Sequence, residues 1–170
     1  MGLTAAQTRV VDAAVTLFAR HGVGGTSLQM IADEIGVTKA AVYHQYKTKD
    51  EIVLAAATTE LARLRALIDA SVTRDELLAG IVELAIEGRR TVGMMLSDPV
   101  IVAFFAQDKQ FHRVMHDMRV LLMGDDAGPQ ARVRTAMLMA AISGAVMHPF
   151  VVDLDDHTLR TELLRLARAF

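Results

Sequence analysis

Two short segments with helical apolar spacing meet at Gly36-Val37-Thr38, and that corner constrains the fold more than any other feature of the 170 residues. In the first segment, from about Ser27 to Ile35, Leu28, Ile31, Ala32 and Ile35 recur on one face. In the second, which runs to about Tyr46, Val42 and Tyr46 point inward. Gly36 supplies the positive φ that a tight turn requires. Val37 plugs the core, and Thr38 caps the helix that follows. Two short helices joined by a Gly-containing turn make a helix-turn-helix, a unit that lays its second helix in the DNA major groove. Many helical proteins contain such a corner, so the side chains must add to the spacing.

The rest of the chain is read as helical by the same signals. A Ser or Thr followed three residues later by Glu or Gln marks a helix start, each side chain capping the other's backbone N–H. Thr4…Gln7, Thr26…Gln29, Thr48…Glu51 and Thr73…Glu76 all fit. The first helix runs from about Thr4 to His21, with Val11, Ala14 and Phe18 on one face and Gly22 as its stop. The fourth runs from Lys49 to about Ala70. Five more follow near 74–90, 93–106 (interrupted at Asp98-Pro99), 108–122, 129–148 and 156–169. Pro99 and Pro129 sit at first helical positions, where the missing N–H costs nothing, and Pro149 is a stop. Strand-type alternation is hard to find. The expected fold is therefore all-α with about nine helices. A three-helix domain over residues 1–48 precedes a helical domain over residues 49–170.

Composition narrows the function. No cysteine is present, which excludes disulfides, zinc-thiolate sites and thiol catalysis and suits a reducing cytoplasm. No basic-then-apolar leader opens the chain, so a cytoplasmic location is expected. The 18 residues 135–152 carry no formal charge, the length of a short membrane span. They include Ser143, Gly144, His148 and Pro149, with no basic cluster at their end, and fit a helix buried on two sides better than a span. Neither a glycine-rich phosphate loop nor a His-Glu-x-x-His motif appears, and the chain is read as no enzyme. A scattered Ser/His/Asp set and an interaction-only helical module stay as alternatives. Net charge is −2, which is not the bulk signature of a nucleic-acid binder. Its distribution matters more: residues 36–49 hold three of the four lysines, His44 and no acid.

The third helix presents Lys39, Ala40, Ala41, Tyr43 and His44 outward. Small residues let a helix approach base edges, and Lys and His donate to guanine or phosphate. The stretch from Thr26 to Ile52 closely resembles the signature of the tetracycline-repressor (TetR) family. The shared features are a Thr before the second helix, Ile31-Ala32, the Gly36-Val37 turn, Tyr43, an aromatic three residues on, and Lys49 opening the fourth helix. Leu17-Phe18-Ala19-Arg20-His21-Gly22 resembles the family's end of helix one, and Tyr46 stands where Phe is commoner. The match covers about residues 5–55. The resemblance implies a ligand-responsive transcriptional regulator, a repressor, that binds a palindromic double-stranded operator as a homodimer. It implies phosphate contacts for Tyr43, Lys49, Thr38 and the cap at Thr26 and Ser27. It implies base contacts for Gln29, Lys39, Ala40 and His44. Lys47 reads either as a further DNA contact or as a solvated charge, and Gln29 either as a base reader or as the capping partner of Thr26.

The second domain carries a methionine and phenylalanine cluster. Eight of ten methionines follow Gly93. Flexible methionines suit either a core or an adaptable cavity. An effector site for a small, mostly apolar molecule is expected, lined by residues such as Met94, Phe104, Phe111, Met115 and Met137, with His112, His116 or His148 as a polar anchor. No other cofactor is expected. Asp108, His112 and His116 fall four residues apart on one helix face, a geometry open to a metal but commoner among plain surface residues, and no metal site is assigned. The last two helices are the expected dimer surface. Leu159, Leu163, Leu166 and Phe170 form a stripe, and the helix over 135–148 is apolar nearly all round.

Overall fold

The computed structural model describes residues 2–89, 99–125 and 128–170. Among these it contains nine α-helices and no strand: α1 (Ala5–Gly25), α2 (Leu28–Glu34), α3 (Lys39–Gln45), α4 (Lys49–Ala70), α5 (Arg74–Glu87), α6 (Pro99–Gln107), α7 (Lys109–Met123), α8 (Pro129–Ala145) and α9 (Asp156–Ala169). A 3-10 turn, Pro149–Val151, separates the last two. The described helices agree with the expected ones to within a few residues. The Met94 end of the expected 93–106 helix lies outside the described residues, as does its break at Asp98.

The chain folds as two compact units. The first takes the chain up to Glu60 together with α6. This division differs from a boundary at residue 48 for two reasons: Ile52, Val53, Ala56 and Ala57 of α4 join the core of α1, α2 and α3, and Ile101 of α6 joins the same core. Phe18, Ile31, Val42 and Ile52 form its centre, all but fully buried. Each such side chain contributes roughly 1.5–3 kcal/mol by leaving water. Gly22, at φ +72°, breaks the helical path inside α1 and turns the chain towards α2.

The second unit holds the remainder of α4 with α5, α7, α8 and α9. α5 lies against α7, α8 and α9, and α8 against α7 and α9. Leu77, Leu78, Val82, Val114, Met118 and Leu138 are its most buried side chains. Helix α4 passes close over α5 at Gly80, where a Cβ would overlap Leu67. Two forked pairs tie α9 to α5: Arg160 with Glu83 (2.5 and 2.8 Å) and Arg168 with Asp75 (2.6 and 2.7 Å). Leu159 and Leu163 are buried within this unit, so half of the expected dimer stripe is spent inside the chain, while Leu166 is exposed. Among the described residues, no helix is long and apolar enough to cross a membrane.

Candidate nucleic-acid interface

The corner folds as its side chains dictate. Gly36 takes φ +69°, and the N–H of Val37 donates to the Ala32 carbonyl at 2.9 Å. The Thr38 hydroxyl accepts the N–H of Ala41 at 3.2 Å, capping α3. Val42 and Tyr46 are buried, which fixes the opposite side of α3 as the free face. On that face Lys39, Ala40, Tyr43 and His44 are exposed, as is Lys47 just beyond the helix. The Lys47 ammonium sits 4.7 Å from the centre of the Tyr43 ring and donates to the Tyr43 carbonyl at 3.0 Å. A cation held over an aromatic ring leaves the phenol hydroxyl and the remaining ammonium protons for a partner. Arg9, which the sequence did not single out, reaches from α1 to the Ile35 carbonyl (3.3 Å) and steadies the corner from behind. Burial without a hydrogen-bond partner pushes the Tyr46 phenol up from its ordinary pKa, as befits a residue used for packing.

At the start of α2 the expected cap moves by one residue. Ser27 is the cap, its Oγ accepting from the N–H of Met30 at 3.2 Å, and it is exposed. Thr26 is buried, and its hydroxyl donates to the Gly22 carbonyl at 2.9 Å. Its side chain therefore serves the α1–α2 connection and has no surface to offer a phosphate. Gln29 is exposed and donates to Asp33 Oδ1 at 2.7 Å, so it is no capping partner of Thr26. Lys49 is half-buried, and its ammonium donates to the carbonyls of Val23 and Thr26. The lysine expected on a phosphate thus fastens the start of α4 to the connection before α2. The Lys49 role was not legible, because it depends on carbonyls 23 and 26 residues away in the chain.

The expected effector residues are placed separately. Phe104 is half-buried in the first unit. Phe111 and Met115 are half-buried on α7 in the second, beside the fully buried Met118. Met137 is exposed on α8, opposite the residues that helix buries, and so lines no interior of its unit. Met94 lies outside the described residues. Asp108 caps α7 by accepting the N–H of Phe111 at 2.6 Å, while His112 and His116 are exposed. Among the described residues no three His, Asp or Glu side chains gather as metal ligands would. His148 is exposed, stacked on Phe150 with 5.3 Å between ring centres.

A family profile described as "Bacterial regulatory proteins, tetR family" matches residues 10–56, the span from α1 through the corner into α4. Through that segment the chain is similar to the tetR family. It is 39% identical over 44 residues to the biofilm operon icaADBC HTH-type negative transcriptional regulator IcaR of Staphylococcus epidermidis, covering 26% of this chain and 24% of that one. The alignments span only 17–26% of the length of the curated relatives matched. Over the whole fold the chain is similar to a transcriptional regulator of Aquifex aeolicus VF5, with a TM-score of 0.77 at 17% identity over 97% of this chain and 99% of that one. It is also similar to a putative transcriptional regulator of Saccharomonospora viridis in complex with choline, with a TM-score of 0.68 at 19% identity over 96% and 95% of the two chains. At such identities these likenesses speak for the tetR fold alone.

Proposed function

We propose that the chain is a transcriptional regulator that binds double-stranded DNA as a homodimer and acts as a repressor. The observation that carries this reading is the free face of α3. Lys39, Ala40, Tyr43, His44 and Lys47 are exposed together on an acid-free segment backed by the buried Val42. Ser27 and Thr38 each accept a backbone N–H through oxygen, which leaves the hydroxyl proton to donate to a phosphate. Lys39, Ala40, His44 and Gln29 then read base edges, with Tyr43, Lys47, Ser27 and Thr38 holding the backbone.

One such unit makes few contacts, and pairing of two copies doubles them over a palindrome. The outer face of α8 supports the pairing. Ala131, Thr135, Leu138 and Ile142 are buried on one side, while Val133, Ala136, Met137, Ala140 and Gly144 are exposed on the other. An exposed apolar helix face of this kind, flat enough for close approach, suits a second copy of itself. Leu166 adds to this surface from α9.

Effector control is the remaining part of the proposal. A small, mostly apolar molecule binds the second unit beside Phe111 and Met115. The choline complex of the Saccharomonospora viridis protein supports small-ligand binding on this fold. Helix α4 runs unbroken from Lys49 to Ala70 and contributes to both units, so a tilt of its far end moves the start of the corner's support. A hundredfold change in DNA affinity needs about 2.7 kcal/mol of differential binding.

Selection of duplexes from a random pool tests the reading. The expected product is an inverted repeat bound by two chains. Failure to enrich any duplex, or enrichment of one without a repeat, overturns it.

A further inference from the structure

On α2 the exposed side chains of Gln29 and Asp33 meet one turn apart, the Gln29 Nε2 donating to Asp33 Oδ1 at 2.7 Å. The helix cannot turn this pair inward. Ile31 and Ala32 are fully buried on its other side, and the Ser27 hydroxyl caps its first turn. Asp33 stands on fixed backbone, since its carbonyl accepts the N–H of Gly36 at 3.2 Å where the corner begins. A carboxylate only accepts hydrogen bonds, so the nitrogen end of the amide must face Asp33 and its oxygen end faces away. Turning the amide over would set Oε1 against a carboxylate oxygen and lose a bond to a charged group. The amide is left with its oxygen and one N–H for a partner.

We propose that Asp33 fixes Gln29 as a reader of adenine, so that each half of the bound duplex carries an A·T base pair facing α2. The inference deepens the DNA-binding reading and rests on it. In the major groove adenine offers its N6 amine as a donor beside N7 as an acceptor, which an amide oxygen and N–H match together. Guanine offers acceptors at both N7 and O6, so Oε1 would face another acceptor. A free glutamine meets guanine by turning over and donating, and Asp33 withholds that choice by holding the nitrogen. Selectivity thus comes from an arrangement that penalises the wrong base as well as one that suits the right base. Asp33 touches no base in this account. It is a positioning residue, and its charge costs affinity for every duplex alike through repulsion from phosphates.

Selection of duplexes from a random pool by the parent and by Gln29→Ala locates the base pair, as the position in each half whose preference the variant loses. Fluorescence anisotropy then compares two duplexes that differ only there, A·T against G·C. The parent is expected to favour A·T by at least about tenfold. In Asp33→Asn, whose amide accepts or donates, Gln29 is free to turn over, and the preference falls below about threefold. Glu34→Gln removes the neighbouring exposed acid, raises affinity for both duplexes alike and keeps the preference. Circular dichroism checks that the variants stay folded. A parent without preference for A·T at that position, no position lost in Gln29→Ala, or a full preference in Asp33→Asn overturns the inference while the enriched repeat, and with it the DNA-binding reading, stands. A parent that enriches no duplex overturns both.

Discussion

Helices α3 and α8 are built alike and finished differently. Each buries one face in its own unit, Val42 for α3 and Ala131, Leu138 and Ile142 for α8, and leaves the other open. The open face of α3 carries Lys39, Tyr43 and His44; that of α8 carries Val133, Ala136, Met137, Ala140 and Gly144. Burial explains why both are helices in place, and it says nothing of what they meet. The uncovered side chains decide that. A cationic, small-residue face suits a polyanion with a groove, and an apolar, small-residue face suits another copy of itself.

The largest expected effect comes from spoiling the apolar face. Ala140→Glu puts a charge in the middle of the α8 surface, where two copies would desolvate it. The chain then sediments as a monomer, and operator affinity falls by on the order of a thousandfold towards the non-specific level. A dimer that survives the substitution removes α8 from the interface and breaks the comparison on that side.

A smaller effect sharpens the α3 side. Lys49→Met takes two donors from the Val23 and Thr26 carbonyls. It should cost the first unit about 1–3 kcal/mol in urea unfolding. Under conditions where the variant is folded, the salt dependence of DNA binding stays as in the parent. A loss of one unit of slope instead would show that the Lys49 ammonium leaves its carbonyls for a phosphate.

The smallest effect concerns acid. Forked hydrogen bonds from Arg160 and Arg168 hold the Glu83 and Asp75 carboxyls below their ordinary range. A carboxyl whose folded pKa is depressed contributes stability that is complete above its unfolded pKa and lost as pH falls through the folded one. Both pairs are largely solvated, so the contribution is small. Acid titration of the melting temperature should show a shallow decline below the unfolded carboxylate range, and Arg160→Met should make it shallower.

The sequence was most informative where a feature is local. The glycine turn at Gly36, the caps at Thr4, Thr38 and Thr73, and the inward Val42 each depend on residues within one turn of helix, and each stands as read. It was misleading where two adjacent residues satisfy one rule. Thr26 and Ser27 are both hydroxyl residues before α2, and only the fold shows that Ser27 caps while Thr26 turns inward. It was silent where partners come from afar. Periodicity marks Leu159 and Leu163 as buried but does not say that they are covered within their own unit. Ile101 joins the first core from a later stretch of the sequence, beyond α5 along the chain, a contact without any local signal. Methionine and phenylalanine counts could not separate the half-buried Met115 from the exposed Met137, because composition carries no direction.

The central claim is that the open face of α3 meets DNA through Lys39 at base edges and through Lys47 at a phosphate. The most direct test is the salt slope of DNA binding, by fluorescence anisotropy, for the parent and for the double variant Lys39→Ala, Lys47→Ala. Each phosphate contact removed lowers the slope by about one, so the account predicts a fall of about one, from Lys47, with unchanged unfolding. An unchanged slope in a folded double variant would contradict it.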